Sequence, residues 1–273
     1  MQKDREKGAH GAYGIRHRAD KLLDRGPLEV AGNKKDARRN SFRDRLPELL
    51  KGSEVRKIRT RSRLGYTGAV PMTRIGRKVV SGESLLELDF LLVVDDVVGD
   101  LADVVAQPMS FRLPLGRKGS TWIPDFLVVH HEGPSELVEV KTEKTLHPAD
   151  VDRHTAIRAR VEAMRAAANG AGYRFRLATE REIRVQPRLA NARLVHHLMN
   201  PFLKTHDLRV GAAALADLPD AADVAAFAAR LPPHLRPLAL MLAINLERGR
   251  MLAFDRTRPI GPSASFRIRR NYR

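Results

Sequence analysis

Apolar residues recur at helical spacing over Leu85, Leu86, Leu88, Phe90, Leu91 and Leu92, after Gly82 closes a polar stretch and with Ser84 placed to cap the helix. Met109–Leu115 reads as a strand, Gly116–Gly119 as a hairpin turn and Thr121–Val129 as a second strand rich in β-branched and aromatic residues. Glu132–Ser135 are turn residues, and Leu137–Lys141 is a third strand. A long helix starts at Pro148 and runs to about Ala168, where Asn169 and Gly170 stop it; Tyr173–Ala178 is a fourth strand. Helix, three-stranded meander, helix and strand in that order predict a compact α/β module with a mixed sheet. From about residue 189 the chain is rich in Ala and Leu, with helices expected over 190–203, 221–230 and 235–248, the last stopped by Gly249. Met251–Asp255 and Ser265–Arg269 read as two strands joined by a loop holding Pro259, Gly261 and Pro262. Three helices followed by a hairpin is a winged-helix pattern, in an α+β domain.

Residues 1–52 lack periodicity apart from two short candidate helices, around Ala19–Leu23 and Asp44–Leu50. Lys34, Lys35, Arg38, Arg39, Arg43 and Arg45 make the segment basic, and a second run holds Arg56, Lys57, Arg59, Arg61 and Arg63. It reads as a basic arm, largely flexible until it meets a partner. The expected organisation is therefore an arm over 1–52, an α/β module over 53–188 and a winged-helix-like domain over 189–273.

Composition narrows the function. The chain has 273 residues, 43% of them hydrophobic, which is enough for one large core or two small ones. It has no cysteine, which excludes a disulfide scaffold, a thiolate zinc site and a cysteine nucleophile, and fits a reducing compartment. Lys and Arg number 49 against 32 Asp and Glu, a formal charge of +17. A pI near 10.8 predicts a polyanionic partner. Met1–Lys7 is too charged for a signal peptide, and the most apolar run, Leu238–Leu246, falls far short of the roughly 20 residues that span a bilayer. No membrane association is expected, the cytoplasm is the expected location, and nucleic acid becomes the leading partner.

One constellation carries chemistry. Pro124 and Asp125 lie on the second expected strand, and Glu139-Val140-Lys141 on the third. Side chains alternate across a strand, so Glu139 and Lys141 share a face, and the hairpin brings Asp125 alongside them. Two converging carboxylates are costly unless a cation sits between them. Magnesium takes hard oxygen ligands and keeps several waters, so a carboxylate pair suits it. Such an ion acidifies a bound water and neutralises charge on a phosphodiester, with Lys141 placed to hold water or phosphate. The plain alternative is a surface ion pair of Glu139 with Lys141 or Lys144. Against it, both strands are apolar around these charges, with Phe126, Leu127, Val128 and Val129 on one and Leu137, Val138 and Val140 on the other. Glu83 and Glu87 lie on one face of the preceding helix and either could add a ligand, Glu87 being deeper among the leucines. His130-His131 and His196-His197 are adjacent pairs whose rings diverge, and are read as turn and helix-surface residues. Trp122, Phe111 and Phe126 are read as core.

In this order the residues resemble the PD-(D/E)xK nuclease superfamily, and within it the TnsA-like endonucleases. The matching stretches are Glu83-Ser84-Leu85-Leu86-Glu87, Gln107-Pro108 at the opening of the first strand, Pro124-Asp125-Phe126, Glu139-Val140-Lys141 and the aromatic strand within Tyr173–Ile183, and the likeness covers about 55–270. The resemblance implies a restriction-endonuclease-like mixed sheet flanked by helices, followed by the winged-helix-like domain. It implies catalytic positions at Glu87, Asp125, Glu139 and Lys141, and a metal held by Glu87, Asp125, Glu139 and Val140. The metal would be Mg²⁺, with Mn²⁺ able to substitute. Position 139 varies between Glu and Gln in that family, so Glu139 adds a charge beside the metal.

The function expected from the resemblance is a Mg²⁺-dependent endonuclease that cuts the 5′ strand at transposon ends, as one subunit of a heteromeric cut-and-paste transposase. Its partners would be double-stranded DNA, a strand-transfer subunit and, through the C-terminal domain, an ATP-dependent regulator. The setting would be a bacterial cytoplasm, with the protein on the nucleoid when bound to DNA. Two rivals stand beside this: a standalone restriction or repair nuclease of the same superfamily, and an inert basic DNA-binding protein. An RNA-processing nuclease is a weaker third.

Overall fold

The computed structural model describes residues 67–116, 119–199 and 203–270. The expected arm over 1–52, the basic run at 56–63, and Arg117 and Lys118 of the expected turn lie outside the described residues. The described chain opens with an antiparallel hairpin that the periodicity did not reveal, β1 (Gly68–Met72) and β2 (Lys78–Gly82), turned through Gly76 and Arg77 at φ 68° and 62°. Helix α1 (Leu85–Val97) follows, and Ser84 caps it as expected, its hydroxyl accepting from the Glu87 N–H. Gly82 sits close against the start of the helix: a Cβ there would lie 3.2 Å from the Glu87 Cβ and 3.1 Å from Leu88 Cδ2, tighter than ordinary contact.

The central sheet has four strands in the order β3-β6-β7-β8, built from β3 (Leu101–Ala106), β6 (Phe126–His130), β7 (Glu136–Val140) and β8 (Arg174–Ala178). The first three are antiparallel neighbours and β8 joins β7 in parallel, so the sheet is mixed, with helices on both faces. The expected first strand over Met109–Leu115 is not part of it. That place belongs to Leu101–Ala106, and the later segment gives only β4 (Phe111–Leu113), which pairs with β5 (Ser120–Trp122) in a separate ribbon. The expected strand over 121–129 is likewise split. Pro124 has no N–H to give a ladder, so pairing with β4 ends at Trp122 and pairing with β3 and β7 begins at Phe126.

Strand alternation sorts the side chains into two cores. Val104, Phe126, Val128, Val138 and Val140 face the hairpin and Leu86, Phe90, Leu91 and Val94 of α1. Val105, Leu127, Val129 and Leu137 face Phe111, Trp122, Met164 and Ala168, the last two on α3 (Val151–Gly170). Asp150 caps α3 by accepting from the Arg153 N–H, and a short helix α2 (Glu143–Leu146) precedes it.

After α4 (Glu180–Ile183), helix α5 (Arg188–Leu198) bridges to a third core. Its Leu189 and Ala192 pack on Val93 of α1, whereas Val195 belongs to the C-terminal cluster. That cluster is enclosed by α6 (Thr205–Ala216), α7 (Val224–Arg230) and α8 (Ala239–Arg248), with β9 (Ala221–Asp223), β10 (Leu252–Phe254) and β11 (Ser265–Ile268) forming a sheet in the order β10-β11-β9. Between the expected helices over 190–203 and 221–230 lies a further one, α6, which ends at Ala216, and 221–223 is a strand on β11 rather than the start of the expected helix. Among the described residues no helix is long and apolar enough to cross a membrane.

The two halves are joined by buried charge. The C-terminal turn of α1 carries Asp95 and Asp96, each about 2% exposed or less, where the helix dipole disfavours acidic groups. Arginines answer both the carboxylates and the helix-end carbonyls. Arg74 donates to the Asp95 and Asp96 carbonyls at 2.6 Å each; Arg248 donates to the Asp95 carbonyl at 3.0 Å; Arg256 donates to Asp96 Oδ1 at 2.9 Å and to Glu247 Oε2 at 2.7 Å. The Asp95 carboxylate also accepts from the Thr73 hydroxyl and the Arg74 N–H. Removing one partner from such a network leaves the others buried and unpaired. Asp95→Ala should therefore lower unfolding stability by about 3 kcal/mol, measured as a lower urea midpoint, with β1–β2 and the C-terminal unit both loosened in amide exchange.

Candidate active site

The break at Pro124 creates the site. Asp125 stands between the two ladders, and its carbonyl accepts from the Gln107 N–H at 3.0 Å. The β6–β7 register pairs Phe126 with Val138, and one step further along it sets Asp125 opposite Glu139. Asp125 Oδ2 accepts from the Val140 N–H at 2.7 Å, which ties the carboxylate to the end of β7. The Lys141 N–H goes to the Ala178 carbonyl of β8, so β7 is held from both sides at this point.

Lys141 Nζ is the centre of the cluster. It lies 2.9 Å from Glu139 Oε1, 3.1 Å from the Val140 carbonyl oxygen and 3.5 Å from Asp125 Oδ2. Exposure is graded across the group: the Glu139 side chain is 7% exposed, Asp125 18% and Lys141 38%, so the cluster opens to solvent on the lysine side. Burial, the Glu139 charge and, less strongly, the Glu87 charge together push the Asp125 carboxyl up to about 7, against the pull of Lys141 and the Val140 N–H. Burial opposes the Lys141 ammonium, but the Asp125 and Glu139 carboxylates outweigh it and hold its pKa above the ordinary lysine value.

The residues fit a hard divalent cation. Asp125 Oδ2, Glu139 Oε1 and the Val140 carbonyl already converge on one positive charge, and two carboxylates with a main-chain oxygen and water are a magnesium-type donor set. Among the described residues no group of three or more His, Asp or Glu side chains is gathered closely enough to hold a metal, so main-chain oxygen and water would complete the coordination. The Glu87 carboxylate is engaged elsewhere. It accepts from the Ser84 hydroxyl at 2.9 Å and, in a variant of the capping box, from the N–H of Glu83, the residue before the cap, at 2.7 Å. Between the two candidate glutamates, Glu87 is the one whose charge acts on Asp125.

The structure thus brings Asp125, Glu139, Val140 and Lys141 into contact and leaves Glu87 within electrostatic range. The plain ion-pair reading of Glu139 with Lys141 and the metal reading describe the same atoms. Gln107 does not open a strand. It ends β3 at φ 45°, a left-handed conformation uncommon for a side-chain-bearing residue, and its N–H reaches Asp125. Trp122 is core, 2% exposed, but its indole N–H also donates to Glu139 Oε2 at 2.8 Å. That bond was invisible beforehand, since alternation alone does not say which buried ring meets which charge. Of the histidines, His130 pairs with Asp100 at 3.1 Å and His196 with the Pro71 carbonyl at 3.2 Å.

Residues 100–180 match the family model of the TnsA-like endonuclease N-terminal domain. Over that stretch the chain is similar to TnsA-like endonucleases. The matched segment runs from the residue before β3 to the first residue of α4, so Asp125, Glu139, Val140 and Lys141 fall inside it, and Glu87 and the β1–β2 hairpin outside. No curated protein matches the chain.

The raised Asp125 pKa gives this site a pH signature. In the unfolded chain the carboxyl loses its proton near pH 4, and in the folded chain near 7. Between those limits the folded state binds more protons, so stability falls as pH rises through the window. Asp125→Asn cannot ionise and should remove that slope. Urea midpoints at about pH 5 and about pH 8 check it: the wild type should lose more stability across the interval than the variant.

Proposed function

We propose that the chain is a divalent-metal-dependent DNA endonuclease of TnsA type that cuts the 5′ strand at transposon ends, working as one subunit of a heteromeric cut-and-paste transposase. The observation that carries this is the convergence of Asp125, Glu139 and the Val140 carbonyl on one cationic position within the segment that matches the TnsA-like domain. Asp125, Glu139 and Val140 would hold Mg²⁺, or Mn²⁺ in its place, with Glu87 adding negative charge from α1. Bound there, such an ion supplies an acidified water and neutralises charge building on the phosphate.

The remaining chemistry falls to the chain itself. Asp125 is fixed by the Val140 N–H and cannot swing away from the site. Lys141, the most exposed member, donates hydrogen bonds on the open side, where it can orient the attacking water or hold a non-bridging phosphate oxygen. Its ammonium also shields the two carboxylates from an incoming polyanion. The net charge of +17 supports a nucleic-acid substrate, and the basic arm over 1–52 would add phosphate contacts without reading sequence.

The C-terminal unit supports a winged-helix reading. A helix, a short strand, two helices and a hairpin enclose one core, with the short strand closing the sheet beside the hairpin. This unit would contact DNA and an ATP-dependent regulator, and choice of sequence would rest with the strand-transfer subunit. The working location would be a bacterial nucleoid.

Nicking of a supercoiled plasmid carrying the element's ends, with Mg²⁺ or Mn²⁺ and with or without the strand-transfer subunit, tests the proposal. Nicking that needs the partner and falls at least about a hundredfold in Asp125→Ala and in Lys141→Ala is the expected result. Robust cutting by the chain alone would favour a standalone nuclease of the same superfamily. Binding without cleavage under every condition would mean an inert DNA-binding protein. Affinity for DNA should fall steeply between low and physiological salt in all variants, because the phosphate contacts lie largely outside the cluster.

A further inference from the structure

Glu139 is the most buried charge in the cluster, and its two oxygens are used differently. Oε1 faces Lys141 Nζ at 2.9 Å, the position on which Asp125 and the Val140 carbonyl also converge. Oε2 points the other way and accepts from the Trp122 indole N–H at 2.8 Å. An indole has one donor and no acceptor, so Oε2 must be the accepting oxygen, which keeps it turned inward. The ring that supplies it cannot turn. Trp122 is 2% exposed, stacks on Phe111 with centroids 5.2 Å apart, and meets Phe175 edge-on at 5.8 Å. The strand that carries it is held from α3, where Arg160 donates to the Ser120 hydroxyl at 2.6 Å and to the Thr121 carbonyl at 3.2 Å.

We propose that Trp122 is a positioning residue for the cation site: its N–H locks Glu139 in the rotamer that presents Oε1 to the metal. The inference rests on the metal reading of the cluster. A carboxylate free to rotate would offer either oxygen or turn away from the position on which Asp125 and the Val140 carbonyl converge, and each alternative lowers the population able to bind. The aromatic frame of β4, β5 and β8 thereby does more than fill the core. It fixes a metal ligand by a bond to the oxygen that does not face the metal, at an angle set by two neighbouring rings.

Trp122 is the only tryptophan of the chain, so the full-length protein gives a single indole N–H signal in a ¹H–¹⁵N spectrum. In metal-free protein that signal should be strongly downfield and slow to exchange, and should move upfield in Glu139→Ala. Titration with Mg²⁺ should shift it in the wild type. Calorimetric titration with Mn²⁺ should show Trp122→Phe binding 10- to 100-fold more weakly than wild type, the usual cost of losing a group that orients a metal ligand. Phe111→Leu, which loosens the ring packing but keeps the N–H, should lower the melting temperature and weaken Mn²⁺ binding less than Trp122→Phe does. An indole signal indifferent to Glu139→Ala would overturn the proposal whatever the metal does. Wild-type Mn²⁺ affinity in a folded Trp122→Phe would overturn it as well, reducing Trp122 to core packing. If the indole responds to Glu139→Ala but the wild type binds neither Mn²⁺ nor Mg²⁺, the metal reading itself fails and the positioning role falls with it.

Discussion

Everything at the candidate site follows from forcing two carboxylates together where water is scarce. The β6–β7 register sets Asp125 against Glu139, and the apolar strands around them remove the solvent that would otherwise screen the repulsion. Such a pair persists only with compensation at the same point. Lys141 supplies a positive charge, the Val140 N–H supplies a donor to Asp125, and the Trp122 N–H supplies one to Glu139. Burial and the Glu139 charge still raise the Asp125 carboxyl to about 7, so these partners offset the repulsion only in part. A fold that needed only an ion pair would gain nothing from burying the second carboxylate.

Helix α1 couples this site to the rest of the molecule. Its first turn carries Glu87, locked in the capping box and felt electrostatically by Asp125. Its middle carries Asp89, buried and paired with Arg184 at 3.0 Å and Arg193 at 2.6 Å, which ties it to the segment leading into α5 and to α5 itself. Its last turn carries Asp95 and Asp96, held by arginines from the C-terminal unit. One helix of 13 residues thus acts on the Asp125 cluster from one end and meets the C-terminal unit at the other, where these ion pairs stand beside the packing of Val93 on Leu189 and Ala192. Ionic junctions of this kind bind in one geometry, because each donor must meet its own acceptor.

Much of this was legible in the chain. Ser84 announces α1, Asn169 and Gly170 fall at the end of α3, and the alternation in Leu137–Lys141 places Glu139 and Lys141 on one face, as found. Asp125 was legible through its spacing from Glu139-Val140-Lys141; the break at Pro124 that leaves it between two ladders was not, since 121–129 reads as one strand. The misplaced elements share a cause. Leu101–Ala106 and Phe111–Leu113 are both short and β-rich, and which of them enters a sheet depends on what lies next to β6. The β1–β2 hairpin was missed because its turn uses Arg77 beside Gly76 in left-handed conformations, without the usual Asn-Gly signal. The division of the Ala-rich run was missed because alanine carries no periodicity, and its assignment to α6, β9 or α7 follows from pairing with β11.

The sequence by itself determined the local facts: which segments alternate, where helices begin, that two carboxylates and a lysine fall within reach of one strand end, and that the whole is strongly basic. Those properties depend on neighbours a few residues away, through strand and helix periods and the special backbones of Pro and Gly. The tertiary structure alone decided that β3 lies beside β6, that the Trp122 indole meets Glu139 and not solvent, and that the end of α1 is clamped by arginines more than 150 residues downstream. These pairings join groups whose separation along the chain carries no signal. They are chosen by the cost of leaving buried charges and donors without partners, a cost that only the assembled core can impose.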